Sequence, residues 1–201
     1  MLRSHILIKN KIFKHSLLTA LFVATFSISV IKAEEDSGTD IATKKTVSQY
    51  LNNISDIEMT HGPQDPAIEE NLISLSLIYE KQGDYIEMLE VLNQALHLHR
   101  LNYGLESKEQ LQIIEQLIST NNTLEDWTAL DQNYEYFYWV NRRIYGTDSP
   151  DLLPTLYRLM EWKLDVIKRG LFGHPQIIEH QATDLLRKIR KIRMINNVDK
   201  Q

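Results

Sequence analysis

No cysteine occurs anywhere in the chain. That absence excludes a disulfide framework, a cysteine nucleophile and a thioether-linked lipid anchor together. Glycine and proline are scarce, seven and five in 201 residues, so each tends to mark an element boundary. No glycine-rich phosphate loop, Gly-x-Ser-x-Gly or HExxH is present. His97 and His99 sit two apart on an expected helix and face roughly opposite ways, so they cannot chelate one ion. His174 and His180 flank Glu179 without a metal-ligand spacing. Carboxylates are plentiful, but none stands in a recognisable acid–base pair. The sequence therefore predicts no enzyme, no metal and no cofactor. A hydrolase with an unrecognised carboxylate site is the catalytic alternative.

Long apolar runs are also absent beyond the first 33 residues. There Arg3, Lys9, Lys11 and Lys14 precede an uncharged stretch from Ser16 to Ile31, followed by Lys32-Ala33 and the acidic Glu34-Glu35-Asp36. A basic stretch, an apolar stretch and a small residue at the exit are the pattern of a secretory signal, with cleavage expected after Ala33. The apolar stretch is shorter than the roughly 20 residues a spanning helix needs. An uncleaved N-terminal anchor is the alternative. With no cysteine, the expected location is periplasmic or secreted, the alternative being attachment to the inner membrane. Residues 34–45 are polar and without apolar periodicity, a flexible lead-in.

Basic residues are under-represented once the leader is set aside. It holds five of the 22 Lys and Arg and none of the 27 Asp and Glu, which leaves 17 against 27, a net charge of −10. Residues 176–201 carry a net +3, so the body from 34 to 175 carries −13. An acidic body repels a phosphate backbone, which disfavours nucleic acid as a partner.

What the chain does have is a repeat. His61-Gly62, Tyr103-Gly104 and Tyr145-Gly146 lie 42 residues apart, and Asp65/Ser107/Ser149, Leu72/Ile114/Leu156 and Leu75/Leu117/Leu159 keep the same register. A fixed period in this range means stacked supersecondary units. Apolar residues recur at helical spacing, and no strand-like alternation is sustained. In the first unit, Asp65-Pro66 opens a helix that stops at Gly83, and Asp84 caps a second. The second unit opens with Ser107-x-x-Gln110 read as a capping box, turns at Asn121-Asn122-Thr123, and continues in a long helix from Trp127. The third opens with Ser149-Pro150, with Pro154 bending the helix entrance, and ends at Arg169-Gly170; a last helix starts near Gln176. Residues 46–60 form a half-repeat. The count is seven helices: one capping helix and three hairpins.

The first unit resembles a tetratricopeptide repeat. Leu72, Leu75, Ser76, Tyr79, Gly83, Tyr85, Leu92 and Ala95 fall on that family's signature spacing, with Met88 where a small residue is usual. The 42-residue period is similar to the longer repeats of kinesin light chains. The likeness covers 46–195, and weakens from unit one to unit three; residues 196–201 are a tail. In unit two, Ile118, Leu130 and Phe137 replace small residues, so a bulkier core is expected there. The resemblance implies an all-α, right-handed superhelical solenoid of about three helix-turn-helix repeats plus the N-terminal capping helix. It also implies a non-catalytic scaffold whose first helices line a concave groove for a partner peptide or helix.

By that analogy the groove is lined by Glu70, Ile73, Leu77, Glu80 and Lys81 from unit one, Gln112, Glu115, Ser119 and Asn122 from unit two, and Tyr157, Glu161 and Asp165 from unit three. The partner is an unknown protein or peptide, and carboxylates around Ile73, Leu77 and Tyr157 suit apolar anchors beside Lys or Arg. The run Tyr134-Glu-Tyr-Phe-Tyr-Trp139 puts Tyr134, Phe137 and Tyr138 inward as core, with Tyr136 and Trp139 elsewhere. In the last helix Leu185, Leu186, Ile189, Ile192 and Ile195 are surrounded by Arg187, Lys188, Arg190, Lys191 and Arg193. A terminal repeat needs a polar outer face, so this reads as a solvated cap. The alternative is a membrane-associated envelope assembly factor that uses this basic helix, or the leader, to stay at a lipid surface.

Overall fold

The structure is a computed structural model and describes residues 45–198. The expected leader, residues 34–44 of the lead-in and residues 199–201 of the tail lie outside the described residues. Two compact units divide the chain, 1–49 and 50–201. Of the first, the described residues 45–49 are helical. The second contains the remainder of that helix, α1 (residues 45–61), then α2 (Pro66–Gln82), α3 (Tyr85–Tyr103), α4 (Gln110–Thr123) and α5 (Trp127–Tyr145). A 3₁₀ turn at Pro150–Leu152 leads into α6 (Leu153–Arg169), and α7 (Pro175–Val198) ends the series. The described residues contain no strand.

Local chemistry sets the boundaries of α2. The Asp65 carboxylate accepts from the Ala67 N–H at 2.8 Å, and Pro66 occupies the first turn, where its missing donor costs nothing. Gly83 ends the helix at φ 78°, with its N–H on Glu80 O and the next N–H on Tyr79 O. This pair of bonds satisfies the last carbonyls, and only glycine takes that left-handed conformation without steric cost. Gly170 ends α6 in the same way. Ser149 accepts from Asp151 N–H at the head of the 3₁₀ turn, and Pro154 occupies the first turn of α6, where its missing donor costs nothing.

From α2 onward each helix packs chiefly on the one before it and the one after it. The solenoid expected from the repeat is what forms: three hairpins, α2–α3, α4–α5 and α6–α7, preceded by α1. Its core consists of the in-phase positions. Leu72 and Leu75 of α2, Ile114 and Leu117 of α4, and Leu156 and Leu159 of α6 are all buried, as are Leu92, Ala95, Leu130, Val140, Ile189 and Ile192 of the second helices. The bulky trio Ile118, Leu130 and Phe137 is buried as well, the heavier core expected of unit two.

Three local expectations are overturned. Asn121–Thr123 do not form a turn but complete α4, and the chain reverses at Leu124–Asp126, with Glu125 at φ 56°. Asn121 is buried and bonds back to Leu117 O at 2.9 Å, a local bond that keeps a polar residue helical. Ser107 and Gln110 form no capping box. Gln110 is buried and its amide donates to Leu105 O and Ser107 O, so it ties down the loop ahead of the helix. Asp84 stands at the N-cap of α3 as expected, but its side chain makes no cap bond, whereas Asp126 accepts from Ala129 N–H at 3.0 Å.

Candidate functional site

The residues expected in the groove all sit on the first helices of the hairpins. Along α2, Glu70, Leu77, Glu80 and Lys81 are exposed and Ile73 is half-buried. Leu77 is 44% exposed, a large aliphatic side chain facing solvent on an otherwise polar flank. On α4, Gln112, Glu115, Ser119 and Asn122 are all exposed; on α6, Tyr157 and Glu161 are exposed and Asp165 is half-buried. Not one of the twelve is buried core. The structure ties the α4 set to α6 through a residue outside the expected groove: Arg158 Nη1 donates to Glu115 Oε1 at 2.8 Å. Asp165 is held by Arg169 at 3.2 Å within its own helix. Among the described residues, no hydrogen bond or ion pair joins the α2 set to the α4 set. Glu70, Glu80 and Glu161 likewise have no ion-pair partner among them.

Sequence reasoning missed the cations that organise this flank. The Arg158 guanidinium also lies 5.1 Å from the Phe137 ring and 5.6 Å from that of Tyr134. Arg169 covers the Trp127 ring at 4.0 Å. Beneath them Trp162 stacks on Tyr134 at 5.4 Å and on Trp127 at 6.4 Å. Planar guanidinium over aromatic faces fixes α6 against α5 and leaves little free positive charge. The aromatic run of α5 is thereby structural. Phe137 and Tyr138 are buried, Tyr134 is half-buried, and Tyr136 and Trp139 stack on each other at 5.7 Å.

A second missed group is Lys163, whose side chain is 1% exposed. Its Nζ lies 2.7 Å from Asp131 Oδ1 and 2.8 Å from Glu135 Oε1, and Trp162 Nε1 donates to the same Asp131 oxygen at 2.7 Å. A cavity of about 250 Å³ beside it is lined by Asp131, Glu135 and Tyr138 of α5 and by Gln181, Asp184 and Lys188 of α7. The two carboxylates of α5 clasp the one ammonium of α6, which ties these helices together.

A third polar cluster has the connectivity of an acyl-transfer triad. His99 Nδ1 is 2.8 Å from Glu69 Oε1 and Nε2 is 2.9 Å from Ser107 Oγ, with His99 buried. Yet the Ser107 hydroxyl donates to the Glu109 carboxylate. A serine nucleophile needs its proton directed at the imidazole. What the cluster does is bind α2, α3 and the loop before α4 together. The Ser107 hydroxyl, followed by its own backbone N–H, holds the exposed Glu109 carboxyl below its usual range. No group of three or more His, Asp or Glu is placed to hold a metal ion among the described residues.

The basic helix is largely committed inside the chain. Arg187 pairs with Asp184 at 2.8 Å, Lys191 with Asp148 at 2.8 Å, and Lys188 Nζ lies 5.1 Å from the Tyr138 ring. Of the cations expected to face a membrane or partner, Arg190 alone is without such a contact among the described residues, as is neighbouring Arg193. No described helix is long and apolar enough to cross a membrane.

No protein-family model matches the chain, and neither does any curated protein. Solved structures do. Similar to it is BtubC (BKLC) from P. vanneervenii, at a TM-score of 0.51 and 12% identity over 74% of this chain. The chain spans 58% of that structure's length. A Podosopora anserina protein with nearly identical TPR-like repeats of the kinesin-light-chain kind matches over 77% of this chain and 88% of its own, at 13% identity and a TM-score of 0.46. A single-substitution form of that protein matches over the same spans at 0.47. With the in-phase caps, turns and core described above, the fold of this chain is that of a TPR-like repeat solenoid.

Proposed function

We propose that this protein is a non-catalytic scaffold that recruits a protein partner outside the cytoplasm. The observation that carries this is the flank of α2, where Leu77 stands 44% exposed between Glu70 and Glu80, carboxylates without an ion-pair partner among the described residues. An apolar anchor ringed by free acids recognises a segment with one aliphatic or aromatic knob beside Lys or Arg. Glu115, Ser119, Tyr157 and Glu161 extend the surface. Recruitment, not chemistry, is what stacked hairpins with an exposed flank supply. The basic leader and apolar stretch support an extracytoplasmic location, in the periplasm or beyond.

The rival reading, an envelope assembly factor held at the bilayer by α7, has Arg190 and Arg193 alone of the described α7 cations to offer an anionic surface. Sedimentation with anionic vesicles separates the two, since a scaffold stays in the supernatant. For the scaffold itself, the test is crosslinking to identify a partner, followed by titration of that partner against variants. Leu77→Asp should abolish binding, because a charge would be desolvated against an apolar group. Glu80→Lys should weaken it through like-charge repulsion and reduce its sensitivity to salt. Both variants should keep full helicity. If Leu77→Asp binds normally, the α2 flank is not the recognition surface.

A further inference from the structure

The last hairpin leaves open a face that the first two bury. Ser76 of α2 and Ile118 of α4 share a repeat position, and both are buried. Met160 is the same position in α6, 42 residues after Ile118, and it is only half-buried. No further hairpin lies against it among the described residues. Next to it Leu164 is 51% exposed, and across on α7 Leu186 is 37% exposed. With Ile167 and Ala182 they line an apolar furrow of about 580 Å³ between the two helices. Apolar surface of this kind, sited where the repeat normally stacks, is an interface without its other half.

The charges at its ends indicate what that half is. On α7, Glu179, Leu186 and Arg193 are spaced by seven residues, so they share one side of the helix. Glu179 lines the furrow, and neither it, Arg190 nor Arg193 has an ion-pair partner among the described residues. Of the other cations of the helix, Arg187 and Lys191 are neutralised by Asp184 and Asp148, and Lys188 lies over the Tyr138 ring. The stripe is thus acidic at one end, apolar in the middle and basic at the other. Turned through a two-fold axis at Leu186 it is its own complement, with Glu179 of each copy opposite Arg193 of the other, about 10 Å from the axis.

We infer that two copies of this chain associate through the open α6–α7 face, with their α7 helices antiparallel. Such an interface is isologous, the commonest symmetry of soluble oligomers. It uses a flank of α6 other than the one that carries Arg158, and it does not depend on the partner surface of α2. The acidic body, net −13 over residues 34–175, makes most other pairings of two copies repulsive.

Sedimentation of the purified full chain and its charge variants tests this. The wild type should form a dimer. Glu179→Arg and Arg193→Glu should each weaken it by roughly tenfold or more, and the double variant Glu179→Arg/Arg193→Glu should restore it. Leu186→Asp, on an already exposed position, should give a folded monomer, with circular dichroism confirming helicity. A wild type that stays monomeric overturns the inference. So does association that ignores both single charge reversals, which would place it at another surface such as the apolar leader, and so does a double variant that fails to recover.

Discussion

Removing Asp131 should destabilise the fold far more than removing Lys163, although the two form one ion pair. The asymmetry follows from exposure. The Lys163 side chain is 1% accessible, whereas those of Asp131 and Glu135 are 25% and 45% accessible. Lys163→Met keeps most of the stem's volume and leaves two carboxylates that water already reaches, at a cost of about 1 kcal/mol or less. Asp131→Ala strands an ammonium that water does not reach, held then by Glu135 alone at 2.8 Å. It also deprives Trp162 Nε1 of its acceptor at 2.7 Å. Stranding a buried charge costs about 3–5 kcal/mol, with Glu135 keeping the figure near the lower end and the orphaned indole adding about 1. Against a total stability of about 5–15 kcal/mol that is a large share. Urea denaturation followed by the helical circular dichroism signal reads both values. The double variant Asp131→Ala/Lys163→Met should be more stable than Asp131→Ala alone, because the stranded charge is gone. Equal losses for the two single variants, or a larger one for Lys163→Met, would refute the reasoning.

The His99 cluster should behave as a clamp, not as chemistry. His99→Ala leaves the Glu69 carboxylate buried without its partner and should cost about 1–3 kcal/mol in the same titration, while Ser107→Ala, at the half-exposed end, should cost less. Tyr79 gives a pH signature at the alkaline end. Burial first, then the carboxylates of Glu87, Asp84 and Glu90, raise its phenol above the ordinary value. Stability from the neutral phenol is complete below the unfolded value of about 10 and is lost as pH rises through the raised folded one, so Tyr79→Phe should flatten stability against pH in that range. Glu109 works in the opposite sense: its lowered carboxyl contributes above the ordinary carboxylate range and fades as pH falls, and Glu109→Gln should remove that acid-limb dependence.

The architecture was legible because it rests on local signals repeated in phase. Leu72, Ile114 and Leu156 announce the core, and Asp65-Pro66 and Gly83 announce one helix with its own caps. Where a local signal had two solutions, the sequence misled. Asn121 looks like a turn residue, but its bond to Leu117 O lets it stay in α4. Ser107-x-x-Gln110 has the spacing of a capping box, yet Gln110 spends its amide on the loop carbonyls behind it. The solvent-facing flank was legible for a related reason: helical periodicity alone puts Leu77 opposite Leu75. The polar interior was not. Lys163 reads as an ordinary solvated lysine, and its acceptor Asp131 lies 32 residues away, with no spacing rule connecting them. Arg158 and Glu115 are 43 residues apart, one more than the period, and only packed helices reveal that they meet.

From α2 onward every helix leans on its neighbours in sequence, and this bears on how the molecule is made. Native contacts close only short stretches of chain, so each step of assembly loses little entropy to loop closure. A hairpin can begin to form as soon as its own two helices have been synthesised, and it is completed when the next hairpin stacks on it, without waiting for the whole chain. Any route that threads such a chain through a membrane while it is still unfolded has to outpace that early collapse, or hold the nascent segments apart until they have crossed.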